Sequence, residues 1–407
     1  MIKIHLLILL FLSTSICRSV EYNSDIQNII DEVNIDSLRI YVEELSGEKE
    51  VLINGEKHKI LTRYCRSYGN DLAADYLADR LESFGLKSKR QDFQRVNDSS
   101  LFSNIYAIQK GKTYPNEYYV IGSHYDSITY PRDSATGADD NASGCAAVLE
   151  AARILSKYEL DYSVIYSFFD AEEIGLNGSG SFSYNLKENN KVVKCAISPD
   201  MIGFNQNNDN RMQVRTTHLN KSEEYSEIMK EINNLYNIGL TIISDWYYKS
   251  EIYARSDFYS FFLRDIPALG IFEDLSSENN IYYHSISDSI KYFNMDYFHK
   301  NSKLIIASLA TFVNNTLMSV SENVSNTNEI NYSINPNPAV NYISVNTSSD
   351  FIDSNYEIVD IYSNKLLSGK MSNHSSINIS GLASGMYFII LKDSKEKQKA
   401  IKFVKIY

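Results

Sequence analysis

The sequence predicts an α/β fold with a largely parallel sheet, followed by a small all-β domain. Three observations carry that reading. Short apolar runs alternate with stretches of helical periodicity through most of the chain. The pattern breaks at 319–330, a polar stretch rich in Ser, Asn and Glu with no apolar period, which reads as a linker. Beyond it the apolar runs are short and separated by Asn, Ser and Gly turns.

In order, residues 70–84 repeat Ala73, Ala74, Tyr76, Leu77, Leu81 and Phe84 at helical spacing. A strand is predicted at 118–123, a helix at 144–156, and strands at 163–169, 192–197 and 212–216. A helix follows at 222–236, a strand at 268–272 and a helix at 296–314. In the tail, 331–407, strands are predicted at 342–345, 356–362, 376–379, 386–391 and 401–406.

The chain has 407 residues, long for one domain, and 43% hydrophobic residues, enough for a packed core. Its formal net charge of −12 argues against a nucleic-acid binder, which needs a basic footprint. The tail is slightly basic, so the acidity belongs to the α/β part. Residues 1–19 read as a signal peptide. Lys3 precedes an apolar run at 4–12, broken only by His5, and small residues follow around Ser15, Cys17 and Ser19. The run is too short to span a bilayer, and no later segment is apolar enough, so a secreted or cell-surface protein is expected. Cys65, Cys145 and Cys195 remain, an odd number outside Cys-x-x-Cys spacing, and are expected as buried free thiols.

Five places carry chemistry. The first is Ser123-His124-Tyr125-Asp126 at a strand end. Side chains two apart on an extended chain share a side, so Asp126 can accept the second ring N–H of His124. The second is Asp139-Asp140 ahead of a predicted helix; paired acids there serve equally as caps or as ligands. The third is Asp170-Ala171-Glu172-Glu173 after an apolar strand, where adjacent acids point apart and so suit two roles. The fourth is Asp200, just past another apolar run, and the fifth is His284 with Asp288 four residues on. Each alone is as well explained by structure. Together they fall at or beyond the carboxyl ends of predicted strands, where open α/β sheets place their ligand crevice. Two histidines and several carboxylates without Cys suit a divalent ion such as zinc in a hydrolytic site. Five ligands suit two ions sharing one bridging carboxylate, about 3.5–4 Å apart.

At these motifs the chain resembles the co-catalytic zinc exopeptidases of the bacterial leucyl aminopeptidase family, over about residues 35–315 and including the early segment Leu61 to Ser67. The resemblance implies a three-layer fold, a mixed, mainly parallel sheet flanked by helices. It implies a catalytic domain at 20–318 and two zinc ions held by His124, Asp139, Glu173, Asp200 and His284, with Asp139 bridging. It implies Glu172 as catalytic acid/base and Asp126 as the group orienting His124. Tyr253 falls where the family places an oxyanion-stabilising tyrosine, although Phe258 stands where members often have His. The implied substrates are peptides with a free N-terminus. In the tail, Asn335-Pro336-Asn337-Pro338, the run from Tyr356 to Tyr362, the run from Leu382 to Phe388 and the closing Ile401 to Lys405 are similar to type IX secretion sorting domains. Those are small β-sandwiches, and the similarity implies a secretion machinery as partner.

Three alternatives stay open at this level. Glutaminyl cyclases resemble the same family but typically work with one zinc. A metal-free binding protein on a retired enzyme fold would have lost ligands, and none is missing. A carboxypeptidase would need a cation for the substrate's carboxylate, for which Arg255 or Arg132 could serve.

Overall fold

The computed structural model describes residues 20–406 except 54, 96–97, 217–220, 246–254, 277, 279, 315–332, 338, 347–354, 361–363, 371–375 and 393–397. The expected signal peptide, the expected linker and Tyr253 therefore lie outside the described residues.

Two short helices open the described chain, α1 (Ser24–Glu32) and α2 (Ile35–Leu45). Each begins on an asparagine whose side chain accepts N–H bonds from the first turn: Asn23 from Asp25, Asn34 from Asp36 and Ser37. A small hairpin follows, β1 (Val51–Ile53) and β2 (Glu56–His58), then α3 (Tyr68–Ser83). The main sheet draws on β3 (Ser88–Gln94), β4 (Leu101–Gln109), β5 (Tyr114–His124), β6 (Tyr162–Phe169), β7 (Val192–Pro199), β8 (Arg211–Arg215), β9 (Thr241–Asp245) and β10 (Ala268–Glu273). Between them lie α4 (Gly144–Leu155), α5 (Asn177–Glu188), α6 (Ser222–Leu235) and α7 (Phe258–Phe262), and α8 (Met295–Phe312) follows β10.

The strand order is β3-β4-β6-β5-β7-β10-β8-β9. The four central strands, β6, β5, β7 and β10, are mutually parallel. The sheet becomes mixed at its flanks, because β4 runs antiparallel to β6 and β8 antiparallel to β10. Strand β3 escaped the sequence reading because it is mostly exposed and polar, with Phe93 its one buried residue.

Period two divides the core. Tyr119 and Ile121 of β5, with Val164 and Tyr166 of β6, pack into one cluster with α1, α2, α3, α4, α6 and α8. Tyr118 and Val120, with Ile165 and Phe169, face the opposite cluster formed with α5 and α7. Burial on both faces explains why β5 and β6 read as unbroken apolar runs. The result is helix, sheet, helix.

The tail forms two antiparallel sheets from β11 (Ser333–Asn335), β12 (Tyr342–Asn346), β13 (Asn355–Asp360), β14 (Lys365–Lys370), β15 (Ser376–Asn378), β16 (Gly385–Lys392) and β17 (Gln398–Lys405). Their orders are β11-β12-β15 and β14-β13-β16-β17. Ile334, Ile343 and Val345 of one pack with Ile358, Ile389, Leu391 and Phe403 of the other, the inner layer of a sandwich. Cys65, Cys145 and Cys195 are buried and free. Among the described residues, no helix is long and apolar enough to cross a membrane.

Candidate metal centre

The parallel strands bring their carboxyl ends to one edge of the sheet. His124 is the last residue of β5, Glu172 and Glu173 follow β6 by a short turn, and Asp200 follows β7 directly. His284 comes from the segment between β10 and α8. These side chains converge. His124 Nε2 lies 3.3 Å from Asp140 Oδ1 and 3.6 Å from Asp200 Oδ1. His284 Nε2 lies 3.1 Å from Asp140 Oδ2 and 3.0 Å from Glu173 Oε2. Two triads result, His124–Asp140–Asp200 and Asp140–Glu173–His284, with ligand atoms within 4.8 Å of one another in each.

The shared position belongs to Asp140 and corrects the expectation of Asp139. Asp140 has an extended backbone (φ −107°, ψ 89°), so neighbouring side chains diverge. The Asp139 carboxylate turns away, accepting the Gly203 N–H at 2.9 Å and the Asn280 side-chain N–H at 3.0 Å. Asp288 fixes this arrangement by accepting the backbone N–H groups of both aspartates, at 2.9–3.1 Å. The sequence shows two adjacent acids and no sign of which turns inward.

Asp126 needs a second correction. Its backbone carbonyl, 3.1 Å from His124 Nδ1, is nearer than its carboxylate at 3.7 Å. A carbonyl only accepts, so Nδ1–H is the donor and Nε2 is left facing Asp140 and Asp200. The Asp126 carboxylate instead accepts the backbone N–H groups of Glu172 at 3.0 Å and Glu173 at 3.2 Å, fixing the turn that carries both acids.

Arg63 is a buried support whose role the sequence did not disclose. It donates Nε–H to Tyr125 O, Nη1–H to Leu45 O and Thr136 O, and Nη2–H to Gly137 O, all within 2.6–2.8 Å. It thereby ties the end of β5 to the turn before Asp139 and Asp140. The signal was its place in the early segment Leu61 to Ser67. Asn141 adds a second tie, donating to Ser123 Oγ at 2.8 Å and Pro199 O at 3.1 Å, across the ends of β5 and β7.

Charge is crowded here. Burial disfavours a charged His124, but the Glu172 charge and the nearby carboxylates of Asp126, Asp140 and Asp200 outweigh it and carry its pKa well above the usual range. His284 is carried to about 10 against burial by its contacts with Asp140 and Glu173. Burial opposes a charged Asp140, yet the two imidazoles hold it well below the usual carboxylate range. Burial, with the Asp140 charge adding, pushes Glu173 up to about 8. Glu172, only 8% exposed, is raised well above its ordinary value by burial, with His124 opposing and Glu173 adding.

Asp200 Oδ1 and Glu173 Oε1 are buried without a hydrogen-bond partner. Oxygens in that state are costly unless a cation meets them, so the donor set fits a metal. A cavity of about 360 Å³ opens onto it, lined by His124, Asp140, Glu172, Glu173 and Asp200 and flanked by Arg215 and Arg255. Of the two arginines weighed for a substrate carboxylate, Arg255 lines this cavity. Arg132 instead packs on Tyr64 and Tyr130.

Comparison with known proteins identifies the family of each part of the chain. The profile of Peptidase family M28 matches residues 104–309, and that of the secretion system C-terminal sorting domain matches residues 333–406. The sorting domain indicates a secreted or cell-surface protein. A probable zinc metalloprotease of Pyrenophora teres f. teres is 29% identical over 190 residues, covering 41% of this chain and 39% of that protein. The chain spans roughly two fifths of the length of the first curated relatives it matches. Among solved structures, the LapA aminopeptidase of Legionella pneumophila has a TM-score of 0.59 at 21% identity, covering 72% of this chain and 76% of that one. The glutaminyl cyclase of Bacteroides thetaiotaomicron has a TM-score of 0.53 at 19% identity, covering 68% and 98%. Both likenesses concern the fold. The M28 match takes in half of the chain and every residue of the two triads, and the chain belongs to peptidase family M28.

Proposed function

We propose that the protein is an exported aminopeptidase that removes the first residue from peptides with a free α-amine, using two zinc ions. The observation that carries this reading is Asp140, a buried carboxylate with an imidazole on each side and one further acid completing each triad. One ion would be held by His124, Asp140 and Asp200, the other by Asp140, Glu173 and His284. A nitrogen and oxygen donor set without thiolate suits catalytic zinc. When bound, such a pair lowers the pKa of water and polarises the scissile carbonyl.

The chain's own groups do the rest. Glu172 lines the same cavity, buried and with its proton affinity raised, and would take the water's proton and return it to the leaving amine. Asp126 holds Glu172 and Glu173 by their backbone N–H groups, so that both carboxylates keep their direction. Tyr253, by family resemblance, would donate to the developing oxyanion. A signal peptide at 1–19 would start export, the catalytic domain would occupy 20–318 and the linker 319–330. The sandwich at 331–407 would address the chain to its secretion machinery.

The test is a panel of aminoacyl p-nitroanilides and N-blocked analogues, with metal content measured before and after chelation. The reading expects close to two zinc ions per chain, hydrolysis only of unblocked substrates, loss on chelation and return with zinc. A glutaminyl cyclase is the competing reading, favoured by the fold likeness alone. One ion per chain with cyclisation of N-terminal Gln would replace the proposal by it.

A further inference from the structure

We propose that export of this protein cuts the Ser19–Val20 bond, and that Glu231 of α6 captures the amine so released. The processing site thus has a receiver for its product built into the fold. The inference rests on the export reading, in which 1–19 is a signal peptide. It goes beyond that reading by naming the bond cut and the fate of the new terminus.

The small-x-small pattern of a signal-peptidase site occurs at Ser15-Ile16-Cys17 and again at Cys17-Arg18-Ser19, so the sequence alone leaves the bond open. Contacts at the start of the mature chain favour the second. Val20 donates its backbone N–H to Glu231 Oε2 at 2.7 Å, across 211 residues of sequence. Its side chain packs on the main core cluster. Two further contacts hold the same segment to the end of α6. Asn23 donates its N–H to Tyr236 Oη at 3.0 Å, and the Tyr22 and Tyr236 ring centroids lie 5.4 Å apart. The chain is therefore tied down from Val20 onward, with a carboxylate already on the Val20 nitrogen. Hydrolysis adds water across the Ser19–Val20 bond. Ser19 leaves with the new carboxylate, and the Val20 nitrogen takes a proton, since α-amines ordinarily titrate at about 8. One amide donor becomes an ammonium with three, at the distance of a charge-assisted hydrogen bond to Glu231. A cut after Cys17 would leave Arg18 at the start and an uncharged N–H at Val20, so Glu231 would gain no charge partner. The consequence is protection. An exopeptidase takes a free α-amine, and a terminus paired with Glu231 must open before it can be taken. If the chain is itself an aminopeptidase, as proposed, the pair also shields it from its own activity.

N-terminal sequencing of the full-length chain recovered after export identifies the bond, and Val20 is the expected first residue. A cut elsewhere overturns this proposal alone; an intact Met1 start overturns the export reading with it. Capture is read on the mature chain, 20–407, and on its Glu231→Gln variant. Each is incubated with an unrelated aminopeptidase of broad specificity and followed by intact mass. Glu231→Gln should lose Val20 about tenfold faster or more, the scale of one charge-assisted hydrogen bond when cleavage follows the open population. Equal rates overturn capture. A chain begun at Arg18, with Glu231 unchanged, keeps the test valid should the variant misfold. It should be trimmed to Val20 and stop there, and trimming that runs on without a pause at Val20 overturns capture. The added enzyme makes the readout independent of this chain's own activity, which leucyl p-nitroanilide reports separately.

Discussion

A carboxylate between two imidazoles is held in its charged form, and Asp140 occupies that place while Asp139 serves the backbone around it. The two aspartates should therefore separate in experiment. Asp140→Asn should lose both ions on dialysis, whereas Asp139→Asn should weaken zinc affinity by about 10–100-fold, as supporting groups do. Elemental analysis of the two dialysed variants reads this, and equal retention by both would return the bridging role to doubt. Glu172→Gln should keep its zinc and lose about 10²–10⁴-fold in kcat. Near-normal turnover in that variant would end the acid/base assignment.

At the scale of elements, the site depends on ties between strand ends and the turn at 138–143. Arg63 donates to four carbonyls, three of them buried, and each buried one left unpaired costs about 1–3 kcal/mol. Arg63→Met should lower the unfolding free energy by about 3 kcal/mol or more; a midpoint in urea close to that of the parent would show the ties to be dispensable. Gly144 begins α4 where a Cβ would lie 2.4 Å from both Pro199 O and Ser123 Oγ. Gly144→Ala must push β5 and β7 away from the turn, so both stability and zinc binding should fall. Away from the site, His299 of α8 contacts Val33 O at 2.9 Å, and burial lowers its pKa below the usual value. The unfolded chain then binds the proton more readily, so this contribution is present above the ordinary histidine pKa and is lost as pH falls below it. His299→Gln should flatten the decline of Tm between about pH 7 and pH 5, a comparison that thermal melts make directly.

At the scale of the whole molecule, the sandwich has its own core and the catalytic layers have theirs. A chain lacking 315–407 should keep chelator-sensitive hydrolysis while losing surface delivery. Loss of zinc from that truncated chain would show that the tail supports the site. The acidity lies in the α/β part of the chain, which also carries the cleft, and that suits the proposed substrate with its cationic amino end.

Alternating apolar runs determined the sheet and its covering helices, because buried parallel strands need apolar residues on both faces. Position after those strands likewise picked out His124, Glu172, Glu173 and Asp200, since a strand's end fixes where the next side chains emerge. Strand β3 stayed hidden because an exposed edge carries little apolar signal. The choice of Asp140 over Asp139 depended on Asp288, Gly203 and Asn280, and that of the Asp126 carbonyl over its carboxylate on the Glu172 and Glu173 N–H groups, all from other parts of the chain. Which way a side chain turns is set by partners distant in sequence, and only tertiary structure brings those partners near.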